Sequence, residues 1–373
     1  MQVRRLQSHA DFERYIDFSE EVYRQNPYWI PPDRHHLISV LSGESQDIAQ
    51  CRVQPFWVER DGRIVATLTA VVDDVYNRHW NERTGHLLFF EAIQGFETDV
   101  AALFGAASDW LRAHGCEAAR ASFLYGWQLP WTIDAYDAVP TAFHTYNPPY
   151  YHSYAKNAGF GTEHGMVQYE ITFTRELAER YRDMIARANA GGIRLRSWDF
   201  ERLNEECTLF ADLLNDTFGA HWGSPRFSAP QMQGFAAAMK DLGTPPDFFG
   251  FADVQRDAVG FVFALPDINQ AFHRMRGKSP EDGTAEFTRA LKEIDHGVLL
   301  IIGVKQDQRG RGINLALAAR VYLAMIERGY KTASYTVVLD DNWASRRTAE
   351  KLGGYVARNF IIYRKELSLA ASR

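Results

Sequence analysis

Apolar positions switch repeatedly between a spacing of two and a spacing of three to four. That alternation predicts a mixed α/β chain. Residues 9–26 place Phe12, Tyr15, Ile16, Phe18 and Val22 at helical spacings. Phe56 to Arg60 and Ile64 to Val72 are β-rich runs, and Asp61-Gly62 between them is a hairpin turn. His86 to Ala92 predicts another strand. Residues 98–113 predict a helix with Val100, Leu103, Ala107 and Leu111 on one face, stopping near Gly115. Ala119 to Phe123 starts the next strand. A loop dense in Trp, Tyr and Pro follows, then a short helix up to Gly159 and a strand over 167–173.

The same order recurs downstream. A charged, helix-forming segment, 174–191, ends in Gly191-Gly192 and reads as a connection. Ile193 to Ser197 predicts a strand, and 200–217 and 228–241 predict helices. Strands are expected at 248–254, 258–265, 298–305 and 332–339, with helices at 313–328 and 342–352. Strands at 355–356 and 359–365 close the chain. The two halves thus share an order of elements while sharing little residue identity, which is an internal repeat of fold. Residues 266–296 interrupt two strands and read as an insertion, partly helical, that could wall an acceptor site or simply pack.

Composition narrows the function. The chain has 373 residues, enough for two domains of roughly 170–190. A net charge of −6 excludes a broad nucleic-acid-binding surface. No apolar run is long enough to span a bilayer and the N-terminus reads as no signal peptide, so a cytoplasmic protein is expected, without membrane or nucleic-acid partners. Cys51, Cys116 and Cys207 lie far apart and read as buried free thiols. His35-His36 and His221-Trp222 show no metal spacing, so no metal is expected.

The most informative string is GVKQDQRGRGINLALAARVYLAMIERG, residues 303–329. A buried strand enters a Gly-containing turn that opens directly into a helix. Such a helix head presents unpaired backbone N–H groups and the positive end of the dipole, which suits a pyrophosphate. Gly310 and Gly312 let the backbone approach phosphate oxygens, and Arg309 and Arg311 supply charge-assisted donors.

Here the sequence resembles the GNAT superfamily of acyl-CoA N-acyltransferases, over residues 192–367. The resemblance rests on V-x-x-x-x-R-G-x-G-I at Val304 to Ile313 and N-x-x-S-x-x-x-x-E-K-L-G at Asn342 to Gly353. It implies cofactor contacts from Val304, Arg309, Gly310, Arg311, Gly312, Ile313, Asn314, Asn342 and Ser345. It also implies a strand splayed from its neighbour, whose backbone holds the pantetheine arm. Two departures stand out. Asn314 replaces the usual Gly or Ala, and Ala349 stands where many relatives carry a Tyr as general acid to the leaving thiolate. The first half resembles a GNAT domain more faintly. Its equivalent turn, AIQGFETDV at 92–100, has no basic residue, and Glu97 and Asp99 would repel a pyrophosphate.

The expected architecture is therefore α/β, with two tandem GNAT-like domains, each a mixed, mostly antiparallel sheet flanked by helices. The expected limits are a degenerate domain at 1–173, a linker helix at 174–191 and an acyltransferase domain at 192–373. The expected activity is transfer of an acetyl or other acyl group from acyl-CoA to a primary amine of a small molecule or peptide. Alternatives are an N-acyl amino acid synthase type using acyl carrier protein and a CoA-binding module without catalysis. A homodimer stays open. The acid–base candidates are His296, Tyr335, Tyr363 and Asp267, with Asp295 beside them.

Overall fold

A computed structural model describes residues 1–45, 48 and 50–367. The described residues divide into two units, one of 1–165 with the segment from Phe360 onward, the other of 166–359.

The first unit begins with β1 (Gln2–Arg5), α1 (His9–Val22) and α2 (Arg34–Leu41). Ser8 and Asp11 form a reciprocal capping box that starts α1, and the Asp33 side chain caps α2. Then come β2 (Cys51–Arg60), β3 (Arg63–Asp73), α3 (Asp74–Trp80), β4 (Thr84–Ala92), α4 (Glu97–Ala113) and β5 (Ala118–Ala121). The short strand β6 (Trp131–Thr132), α5 (Tyr151–Asn157) and the start of β7 (Gly161–Thr172) follow. Strands β1 to β4 are antiparallel neighbours, whereas β4 and β5 run parallel. One face of this sheet packs α4 and α5 through Phe56, Val58, Phe90, Leu103, Phe104 and Tyr151. Phe12, Tyr15 and Ile16 of α1 meet Leu37 and Leu41 of α2 and Trp57 on the other.

The second unit holds the rest of β7, then α6 (Arg175–Ala190), β8 (Ile193–Ser197), α7 (Leu203–Phe218), α8 (Ala229–Asp241), β9 (Phe249–Val254) and β10 (Asp257–Pro266). It continues through α9 (Asn269–Met275), α10 (Pro280–Leu291), β11 (His296–Val304), α11 (Ile313–Glu327), β12 (Thr332–Leu339) and α12 (Trp343–Lys351). Its sheet runs β7-β12-β11-β10-β9-β8, antiparallel except for the parallel pair β11 and β12. Strand β13 (Tyr355–Glu366) ends the described chain, and its residues from 360 onward pair with β5 and β6 in the first unit.

The units differ from the limits expected from sequence. The segment read as a linker, 174–191, is α6, which packs against α11 inside the second unit, with Tyr181 and Tyr322 rings 5.9 Å apart. The closing segment from Phe360 onward, expected in the acyltransferase domain, belongs to the first unit. Residues 368–373 of that expected domain lie outside the described residues. The cause is that strand pairing, not chain order, decides which core a terminal strand joins. The insertion at 266–296 forms α9 and α10, whose Ala271, Phe287, Ala290, Leu291 and Ile294 pack together and against Tyr330.

Candidate functional site

In the second unit, β11 and β12 pair in parallel only from His296↔Thr332 to Leu299↔Tyr335. Beyond that point β11 stays with β10 and β12 stays with β7. The two strands therefore part, each keeping its outer neighbour. The β10–β11 register slips where Phe263 faces Ile301 and Ala264 faces Leu299, so Leu300 is skipped. Such a bulge takes one residue out of the ladder at the parting. Gly303 is buried further along, where a Cβ would lie 2.6 Å from the Phe261 ring and 2.9 Å from Thr217 Oγ1 of α7. A side chain at 303 would force α7 away from the strand.

The turn follows directly. Gly310 and Gly312 have φ of +83° and +78°, and nothing lies within 4 Å of a Cβ placed on either. These are backbone conformations that favour glycine. Gly312 is the N-cap of α11, and no side chain caps the helix. Among the described residues, no acceptor meets the amides of Gly310, Arg311 or Gly312. The first N–H groups of α11 have no intrahelical partner either. Arg309 donates to the Val304 carbonyl at 3.3 Å, and Arg311 to the Gln308 side chain. Arg311 also reaches the Gly191 carbonyl at 3.4 Å, and both arginines remain exposed. Ile313 is buried beneath the turn.

The second motif faces the first through helix α12. Asn342 caps α12 by accepting from the Ser345 amide at 3.2 Å. Ser345 Oγ lies 2.9 Å from the Tyr335 hydroxyl, which burial pushes up to about 12. Tyr335 is the last residue of β12 paired with β11, so its backbone stands where the strands part, and its buried phenol is turned to α12. Asn314 does not cap α11; its amide donates to Thr348 Oγ1 of α12 at 2.7 Å. Thus Arg309 to Asn314 are brought together with Val304, and Asn314 reaches the helix that carries Ser345. Ala349 is fully buried, which leaves no room for a longer side chain in place.

The remaining acid–base candidates sit elsewhere. His296 begins β11, at the end away from the turn. Its Nδ1 and Nε2 are each 2.8 Å from a hydroxyl, of Thr332 and of Ser334, with Glu170 3.7 Å away. Both ring nitrogens are committed to this network. Asp267 is buried, and its carboxylate accepts from the Asn269 amide at 3.2 Å. Asp295 is held below the usual carboxylate range by Lys331, 2.8 Å away. Tyr363 lies in the first unit on β13, 3.0 Å from His152 Nδ1. Sequence reasoning passed over His221, on the loop after α7, as an acid–base group. Burial lowers its pKa, with Asp341 and Arg309 as charged neighbours. Its place next to the turn had no signal in the sequence, because it depends on where the α7–α8 loop folds back.

The corresponding turn in the first unit is closed. Strand β4 parts from β5 after Leu87↔Ala121, and α4 starts at Glu97 with no side-chain cap. Tyr154 of α5 places its hydroxyl 3.0 Å from the Gly95 amide and 3.3 Å from that of Phe96. Asp99, fully buried, is paired with Arg60 at 2.6 Å. The amides that would meet an anion already have an internal acceptor.

No family model matches the sequence. Two curated proteins are similar along nearly the whole chain. A bacterial ceramide synthase of Caulobacter vibrioides is 25% identical, across 96% of this chain and 95% of that protein. Protein YghO of Escherichia coli is 23% identical, across 98% and 95%. Among solved structures, a tandem GNAT protein from the clavulanic acid biosynthesis pathway superposes with a TM-score of 0.56 at 12% identity, covering 99% of this chain and all of that one. A GCN5-related N-acetyltransferase from Sphaerobacter thermophilus gives 0.53 at 15% identity, covering 98% and 96%. No helix among the described residues is long and apolar enough to cross a membrane.

Proposed function

The chain has the tandem GNAT fold, and on that premise we propose that its second unit is an N-acyltransferase that takes acyl-CoA and acylates a primary amine. The observation that carries this reading is the row of unpartnered amides at 310–312 leading into uncapped α11, flanked by Arg309 and Arg311. A diphosphate is the dianionic group that such a helix head accommodates. The parting of β11 and β12 supplies unpaired strand edges beside it, suited to the amide-bearing arm of CoA.

The reaction is direct. The amine nitrogen attacks the thioester carbonyl, the C–S bond breaks, and the thiolate leaves as CoA. The amine must arrive deprotonated, and the thiolate must gain a proton. Tyr335 fits the proton donor, because its phenol is protonated at neutral pH and its residue ends the paired stretch where the strands separate. It takes the part that the buried Ala349 cannot. The whole-length similarity to a protein named ceramide synthase favours a long-chain amine as acceptor and a long acyl group as donor.

The test is thiol release from acetyl-CoA and palmitoyl-CoA across a panel of amines, long-chain amino alcohols included, alongside CoA-dependent thermal stabilisation. Turnover with a long-chain amine is expected. Stabilisation by CoA with no turnover on any amine would replace this reading with a CoA-binding module.

A further inference from the structure

The first unit carries a carboxyl group that the proposed acyl transfer in the second unit does not use. Glu91 lies near the end of β4, just past a bulge. The β3–β4 register slips between Thr67↔Glu91 and Thr69↔Leu88, and Phe89 has a φ of +52°. The bulge is pinned from both sides. Tyr15 of α1 donates to the Phe89 carbonyl at 2.7 Å, and the Phe89 amide donates to Gln128 at 2.8 Å. This strained backbone aims Glu91 into a cluster of phenols.

Tyr151 donates to Glu91 Oε2 at 2.6 Å, and Tyr23, just after α1, also hydrogen-bonds the carboxyl. Tyr15 of α1 and Tyr150 before α5 stand within electrostatic reach of it. Tyr23 is stacked on Trp29 at 5.0 Å and meets Tyr146 edge-on at 5.7 Å, so the wall is rigid. The charged and titratable groups facing Glu91 from α1, α5 and their flanks are thus all tyrosines. Among the described residues no Lys, Arg or His is paired with it. Glu91 as a residue is half-buried, while Tyr23 and Tyr151, which bond its carboxyl, are fully buried.

A carboxylate without a cation in a low-dielectric setting is costly, and it gains most from a ligand that brings positive charge. Aromatic walls add attraction for a cation. We infer that the Glu91 cluster of the first unit binds the ammonium group of a primary amine. The inference goes beyond the acyl-transfer reading, and rests on it only for the class of ligand, a primary amine.

Burial pushes the Glu91 carboxyl up to about 8. At pH 7 it is therefore mostly protonated, and seating an ammonium expels a proton. The same proton is lost if the carboxyl keeps its hydrogen and the amine gives one up. Amine binding thus releases close to one proton at pH 7, and apparent affinity rises about tenfold from pH 7 to 9.

The experiment is calorimetry on the full chain without CoA, titrating n-hexylamine in buffers of different ionisation enthalpy, with hexan-1-ol as the neutral control. Expected are binding of the amine but not the alcohol, release of about one proton at pH 7, and loss of at least tenfold in affinity in the isosteric Glu91→Gln variant. That variant should keep CoA-dependent thermal stabilisation, which shows that it folds and separates this test from that of the acyl-CoA site. Amine binding of unchanged strength in Glu91→Gln, equal binding of the alcohol, or no amine binding at all would overturn the inference while leaving the acyl-CoA reading untouched.

Discussion

The two helix heads, at 310–313 and 95–97, are built on the same plan and end in opposite states. In each unit a hairpin leads into a strand that pairs in parallel for four residues with the next, bulges, and feeds a helix. Even the close packing repeats. A Cβ at Gly85 would lie 2.2 Å from Leu111 of α4, and one at Gly297 would lie 2.4 Å from Met325 of α11. Those glycines let each helix lie flat on its strand. Past the bulge the units diverge. Glu91 and Gly303 stand equally far along from Gly85 and Gly297, one carrying a carboxyl and the other nothing. The second unit then leaves its amides open and sets two arginines around them. The first fills the same place with Tyr154 and turns its acidic first-turn Asp99 toward Arg60. The difference teaches that the shared plan leaves helix-head amides open, and that one hydroxyl from a neighbouring helix is enough to occupy them.

The contrast breaks most sharply at Gly312. Gly312→Val puts a β-branched residue at φ +78° and draws the amides out of line. CoA affinity should fall by about a hundredfold, which is about 2.7 kcal/mol. Unchanged circular dichroism and a titration of CoA-dependent melting check this. CoA bound as tightly as by the natural chain would remove the basis for the cofactor site. Next is Tyr154→Phe, which strips the acceptor from the Gly95 and Phe96 amides. Stability should drop by about 1 kcal/mol, the net worth of hydrogen bonds to part-exposed amides that water can replace. Denaturant unfolding measures it, and no new CoA site should appear, because the head still lacks basic residues. Last comes Asn314→Ala. It deletes the 2.7 Å link to Thr348 and should cost about 1 kcal/mol, with at most a few-fold weaker CoA binding. A large loss of affinity there would instead make the Asn314 amide a direct cofactor contact.

How much of this was legible beforehand depends on range. The 303–329 string carried its own punctuation, since strand, glycines and helix are contiguous, and the structure places them so. The Asp61-Gly62 hairpin was readable for the same reason. The short elements β1, α2 and α3 gave no periodic signal and are fixed by pairing and packing: β1 by β2, α2 by Trp57 and Ile64. The missing basic residues at 92–100 were readable in the sequence, but the occupied amides of Gly95 and Phe96 were not. Tyr154 lies far downstream of Gly95 and reaches it only because α5 packs beside Phe90 and Phe104. Similarly, nothing local marks Asn314 as the partner of Thr348, or joins both nitrogens of His296 to hydroxyls on β12.

A sheet normally keeps its bare rims at the outside, where charge, proline or a covering helix guards them against stray pairing. The fork between β11 and β12 puts two such rims in the interior of the second unit. On the proposed reading, a guest threaded there would have to present donors and acceptors at strand spacing, which favours a linear, amide-bearing chain. It follows that short thioesters lacking those amides should be poor donors even when their acyl group is identical.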